Sequence, residues 1–254
     1  MTKIATVLPV FERLKNGQIK LTDRFRVSER AWRQEGSRMF LEPNKYVDLE
    51  DLLRGIIVQS GNDATTVIAE ALAGTEEQYA KEMNQIVSDF GATNTHFVNA
   101  SGLPHEEHLT TARDLAKISR ELIRRYPEYY RWFAEKEFTY NKIRQGNRNP
   151  LLYYSHYKAD GIKTGVTDQG GHGLVGSAVK DDMRLIVVVN GTKDVNARAR
   201  ASDELLQWGF SQFKKYKLFQ EDDQVGSADV WLGKEESVPL VMPEDIVLLL
   251  SYQD

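Results

Sequence analysis

Three short segments carry side chains whose types could do acid–base or anion-binding chemistry. They are Lys3 at the start of a helical pattern, Ser60-Gly61-Asn62 at a break between two helical patterns, and Lys163-Thr164-Gly165 at the end of a strand-like run. A lysine amine accepts a proton near neutral pH only when it is partly uncharged, and desolvation or a second ammonium nearby depresses its pKa. Lys163 is the natural second ammonium for Lys3. Each segment alone has a plainer reading: a solvated helix-end lysine, a turn between helices, and a triplet that arises by chance in on the order of a few per cent of chains this long. Only the three together point to one site.

The elements that must position them follow from periodicity. Ile4, Val7, Leu8, Phe11 and Leu14 recur at helical spacing, so residues 3 to 16 read as a helix stopped by Asn16-Gly17, with Pro9 as a kink. Residues 24 to 48 read as irregular, with a β-like Phe25-Arg26-Val27. Asp48 is placed as the cap of a helix through Leu52, Leu53, Ile56 and Ile57, which Ser60-Gly61-Asn62-Asp63 interrupts. A helix from Ala64 to Leu72 follows, then one from a Thr75-Glu76-Glu77-Gln78 capping box to Phe90, then one opened by Thr110 or Thr111 and running to Arg124.

Beyond Pro127 strand-like runs dominate: Phe138–Tyr140, Lys158–Lys163, Leu174–Val179 and Arg184–Asn190, with Asp181-Asp182 as a hairpin turn. A helix from Asp194 to Lys215 offers Ala201, Leu205, Leu206, Trp208 and Phe210 to cover the sheet. This order implies an α+β domain over residues 1–215 with a helical insertion, then a small β-domain over 216–254 whose few strands make a marginal core.

The three segments match a serine-hydrolase motif set, S-x-x-K with S-D-N and K-T-G, whose Ser-Gly-Asn variant is associated with D-alanyl-D-alanine carboxypeptidases. The chain resembles that family over nearly its whole length. The resemblance is carried by Gly55–Ala64, Glu135–Gln145, Asp160–Gly165 and Leu205–Phe210. It implies a β-lactamase/transpeptidase-like fold, an antiparallel sheet with a helical insertion, followed by a partial small β-domain.

By that resemblance Lys3 is the general base, and the motif's serine falls one position before Met1. We therefore expect a chain shortened at both ends, without its nucleophile, signal peptide and opening strands, and without the rest of its β-domain and a membrane-anchoring helix. In the same reading Ser60 hydrogen-bonds both lysines and relays a proton to the departing amine, and Asn62 orients Lys3. Lys163 and Thr164 bind the substrate carboxylate, Gly165 lets the peptide lie against the strand, and the Val166 N–H serves the oxyanion. Arg148 helps hold the carboxylate.

The implied activity is removal of the terminal D-alanine from peptidoglycan pentapeptides through an acyl-enzyme, with β-lactams acylating the same serine and no cofactor required. The implied location is the periplasm or the outer face of the cytoplasmic membrane. These 254 residues alone are expected to be inactive. Two rivals are a non-catalytic peptidoglycan-binding or regulatory remnant and, more weakly, a β-lactamase.

Composition excludes other classes. With 33 basic and 37 acidic residues the net charge is −4, which gives a polyanion such as nucleic acid no general attraction. The apolar runs Leu185–Val189 and Ile246–Leu250 are far shorter than the ~20 residues a membrane helix needs. Membrane association is thus expected only through a missing C-terminal anchor. The absence of cysteine excludes disulfides and thiolate chemistry. His105-Glu106-Glu107-His108 lacks the zinc spacing and reads as a polar turn, so no metal site is expected.

Overall fold

The computed structural model describes residues 1–251. It divides into two compact units: Met1–Lys180 with Arg184–Leu206, and Asp181–Met183 with Gln207 onward.

The first unit begins with α1 (Lys3–Thr6) and α2 (Leu8–Lys15), separated at Val7. The sequence suggested one kinked helix. Pro9, in the first turn of α2, has no N–H to close a bond to the preceding turn, and the break falls just before it. β1 (Arg24–Arg26) pairs antiparallel with β2 (Tyr46–Asp48), and a short α3 (Glu29–Trp32) that periodicity missed is capped by the Ser28 side chain. Asp48 does precede α4 (Leu49–Arg54), but its side chain makes no cap bond and pairs with Arg24 at 3.1 Å instead. A π-helical turn, Gly55–Gln59, then leads into Ser60, held at φ +62° and ψ +32°.

α5 (Asn62–Ala73) restarts directly after Gly61. α6 (Glu76–Asp89) and α7 (Ala112–Arg125) start where their caps were read: Thr75 Oγ1 accepts from Gln78 N and Thr111 Oγ1 from Asp114 N. α8 (Pro127–Tyr130) and the following 3₁₀ turn bring Tyr126, Trp132 and Phe133 into the helical core, where Phe11 stacks on Tyr129 at 5.0 Å.

β3 (Glu137–Tyr140) and β4 (Ile143–Gly146) form a hairpin, and the main sheet is β5 (Lys158–Thr167), β6 (Gly171–Lys180) and β7 (Met183–Thr192) in that spatial order. β5 pairs antiparallel with β6 and sets Lys163 opposite Val175, Thr164 opposite Leu174 and Gly165 opposite Gly173. Asp181 and Asp182, at φ +49° and +61°, make the tight turn between β6 and β7.

On α9 (Val195–Gln212) the buried face differs from the expected one. Leu206 is 1% exposed, whereas Leu205 is 45% and Trp208 54% exposed. The buried stripe is Arg198, Ser202 and Leu206, a spacing of four that one helix face demands.

In the second unit β8 (Phe213–Phe219) pairs with β11 (Ile246–Ser251), and β9 (Gln224–Asp229) with β10 (Ser237–Val241), all antiparallel. α9 therefore ends before Lys215, because Phe213–Phe219 finds its ladder partner in a strand about thirty residues on. No helix among the described residues is long and apolar enough to cross a membrane.

Candidate active site

Lys3 lies in the first turn of α1 and Lys163 near the middle of β5, and both are almost completely buried, at 7% and 5% exposure. The Lys3 ammonium donates to Asn62 Oδ1 at 2.6 Å and to the Ser101 carbonyl at 2.5 Å. Asn62 cannot turn its amide over, because its Nδ2 donates to the Glu35 carbonyl at 2.6 Å while its backbone N–H donates to Ser37 O. The amide thus aims its acceptor at Lys3.

Asp63 anchors the loop that makes this possible. Its carboxylate accepts from Met39 N and Ala64 N through Oδ1 and from Leu41 N through Oδ2, which clamps residues 35–41 over the start of α5. The π turn and the left-handed Ser60 redirect the chain so that Asn62 and Asp63 open a new helix instead of continuing the old one.

Arg148, in the turn after β4, donates through Nη1 to the carbonyl of Gln59, the residue before Ser60, at 3.0 Å, and to Ser37 Oγ at 3.2 Å. Gly165 lies so near the start of the chain that a Cβ there would stand 2.7 Å from the Met1 nitrogen. Any side chain at 165 would push β5 away from α1. Thr164 is buried on the same strand, whereas Val166 is well exposed.

The electrostatics follow from crowding cations into a dry place. Burial first, and then the Arg148 charge, lower Lys3 to about 7, with Asp63 and Glu76 pulling the other way. Lys163 is pushed well below its ordinary range by burial, then by Lys3, Arg148 and Arg198. Lys163 was expected to be the cation that depresses Lys3. The repulsion between the two amines is mutual, and Arg148 adds to it at both. The Ser60 hydroxyl, expected to bond both lysines, bonds neither among the described residues, and Lys3 is satisfied by Asn62 and Ser101.

The sequence of residues 1–194 matches the family described as D-alanyl-D-alanine carboxypeptidase, and residues 213–253 match the C-terminal domain of penicillin-binding protein 5. The chain belongs to the D-alanyl-D-alanine carboxypeptidase family. It is 41% identical over 244 residues to DacA of Haemophilus influenzae and 42% identical over 246 residues to DacC of Escherichia coli, covering 94% of this chain and 62% of the relative in each case. It therefore spans less than two thirds of the length of these curated relatives. Penicillin-binding protein 5 from Haemophilus influenzae has the same fold, with a TM-score of 0.92 and 40% identity over 99% of this chain and 74% of that one. The architecture is accordingly the transpeptidase-like α+β fold followed by a small β-domain.

In this carboxypeptidase-family chain two groups, one beside Lys3 and one acting on Lys163, are not legible in the sequence. Ser101 contributes only a carbonyl, which no side-chain pattern reveals. Arg198 is buried on α9, its Nε has no hydrogen-bond partner among the described residues, and its charge acts on Lys163. Burial also lowers the pKa of Arg198, as it does that of Arg148. The available signal was an arginine at four-residue spacing with Ser202 and Leu206. Lys3, Lys163, Arg148 and Arg198 thus form a chain of mutually repelling cations that includes a hydrogen-bonded amine, suited to an anionic ligand and a proton transfer. Among the described residues no group of three His, Cys, Asp or Glu could hold a metal ion.

Proposed function

We propose that the whole protein is a serine-type D-alanyl-D-alanine carboxypeptidase that removes the terminal D-alanine from peptidoglycan pentapeptides. The observation that carries this reading is the buried Lys3 amine, held at about 7, oriented by Asn62 and in a cluster with Lys163 and Arg148. The nucleophile in this reading is a serine three positions before Lys3.

Its hydroxyl proton passes to neutral Lys3 Nζ as Oγ attacks the carbonyl of the penultimate D-alanine. The Val166 N–H and the serine's own N–H hold the oxyanion. The C–N bond then breaks, and the departing amine takes the proton back from Lys3. Water repeats the sequence on the acyl-enzyme and restores the serine. Lys163, Thr164, Arg148 and Arg198 hold the carboxylate of the terminal D-alanine, an anion that offsets the repulsion among these cations. Penicillins present the same carboxylate beside a reactive amide and acylate the same serine. The substrate places the working protein at the periplasmic or outer face of the cytoplasmic membrane.

The test uses the whole protein with its Lys3→Ala variant, and a chain limited to these 254 residues. Fluorescent penicillin should label the whole protein covalently, and D-alanine should appear from a pentapeptide. The variant should lose both by on the order of a thousandfold or more, the loss expected with a catalytic base. The 254 residues alone should do neither. A whole protein that takes no label, or a Lys3→Ala variant as fast as the parent, would overturn the proposal.

A further inference from the structure

The turn that carries Lys3 is clamped from one side by the loop of residues 98–102, at three points. Thr6 Oγ1 donates to the Ala100 carbonyl at 2.6 Å, Lys3 Nζ to the Ser101 carbonyl at 2.5 Å, and Gly102 lies against Thr2. Gly102 sits at φ +80°, and a Cβ there would stand 2.8 Å from Thr2 Oγ1, so loop and turn meet at that contact with nothing between them.

What holds this loop to the residue before Lys3 is a histidine. His108 Nε2 is 2.8 Å from Thr2 Oγ1, and His108 Nδ1 is 3.2 Å from the backbone nitrogen of Val98. A backbone N–H can only donate, so Nδ1 must be bare. A neutral ring then carries its proton on Nε2 and donates it to Thr2 Oγ1. The ring is packed on Phe97 at 5.1 Å between centroids, and its own segment is fixed by the paired His96 and Leu109 backbones, at 2.8 and 2.9 Å. Thr2 occupies the cap position of α1, yet its side chain makes no cap bond. Its hydroxyl is turned to the histidine instead.

We propose that His108 is a positioning residue for the reaction: a neutral imidazole, protonated on Nε2, that braces the Val98 N–H against the Thr2 hydroxyl and so sets where the Lys3 amine stands. Burial supports the neutral form, lowering His108 to about 4. The catalytic part of the inference rests on the carboxypeptidase reading; the tautomer and the brace do not. Glutamine offers the same order of groups, an acceptor for Val98 N–H and a donor for Thr2, whereas leucine fills the space with neither.

Two measurements test it. Long-range ¹H–¹⁵N spectra of the histidines at pH 7 should show His108 with a bare Nδ1 and a protonated Nε2; the opposite tautomer, or a doubly protonated ring, would overturn the brace whatever the variants do. In the whole protein the rate of penicillin acylation should fall about tenfold in His108→Leu and in Thr2→Val, fall no further when the two are combined, and return to within about threefold of the parent in His108→Gln. The Lys3 titration midpoint, read by ¹³C NMR, should move in His108→Leu and be restored in His108→Gln. Equal rates and midpoints in all of these proteins, or a His108→Gln variant as impaired as His108→Leu, would refute the positioning role. A parent that takes no penicillin label while the tautomer and midpoints behave as stated would count against the carboxypeptidase reading and leave the brace standing.

Discussion

Asn62→Asp exchanges an amide nitrogen for an oxygen with almost no change in shape, and it sets a negative charge beside the Lys3 amine. Lys3 is held at about 7 instead of 10.5, which corresponds to about 5 kcal/mol against its charged form. Its contact to Asn62 Oδ1 is 2.6 Å. A unit charge at that separation attracts the ammonium by ~6 kcal/mol at an effective dielectric constant of about 20. Desolvating the new carboxylate and losing the Asn62 donation to Glu35 offset roughly half of this, leaving ~3–4 kcal/mol in favour of the charged lysine. Lys3 should then titrate near ~9–10. At pH 7 the neutral fraction falls from about half to about 1% or less.

A pH titration of ¹³Cε-labelled lysine reads the midpoint directly. Benzylpenicillin acylation of the whole variant should slow about fiftyfold or more at pH 7 and recover as the pH rises toward ~9–10, because a base of higher pKa loses its proton only at higher pH. A midpoint that stays near 7 or moves down would show that Asn62 does not set the state of Lys3, and the assignment of Lys3 as base would lose its physical ground.

Other perturbations separate parts of the same account. Asp63→Asn leaves one oxygen for three backbone N–H donors and should destabilise the fold by ~2–4 kcal/mol in urea unfolding; a loss below ~0.5 kcal/mol would mean that the 35–41 loop is held otherwise. It should also move Lys3 below about 7, opposite in sign to Asn62→Asp, because Asp63 supports the ammonium. Leu206→Ala should cost ~2–5 kcal/mol, whereas Leu205→Ala should stay within about 0.5 kcal/mol; equal effects would refute the assigned face of α9. Arg198→Gln in the whole protein should lower kcat/KM for a pentapeptide about 10–100-fold, the worth of a charged hydrogen bond, and leave a C-terminally amidated peptide unaffected. The same loss on both peptides would remove Arg198 from carboxylate binding.

The parts of the fold legible in the chain are those set by neighbours a few residues apart. Thr75 and Thr111 cap their helices because a hydroxyl three residues before an N–H reaches it in any sequence context. Asp181 and Asp182 take the left-handed turn that a two-residue hairpin requires. The parts misread depend on partners far along the chain. Phe213–Phe219 carries three lysines and passes for the end of a helix until Ile246–Ser251 pairs with it. Leu205 and Leu206 are equally apolar, and only the packing of α9 decides which of them is buried.

The candidate site divides along the same line. Motif spacing together with the family resemblance marks Lys3, Ser60, Asn62, Lys163, Thr164, Gly165, Val166 and Arg148 as candidates, because a general base and an anion clamp demand particular side chains. They do not reveal that a carbonyl at 101 is the second acceptor of Lys3, that Arg148 also lowers its pKa, that Arg198 faces inward, or that His108 braces Thr2. Backbone carbonyls look alike in every sequence, and the strength of a charge on its neighbour depends on distance and on excluded water, quantities that exist only once the chain has folded.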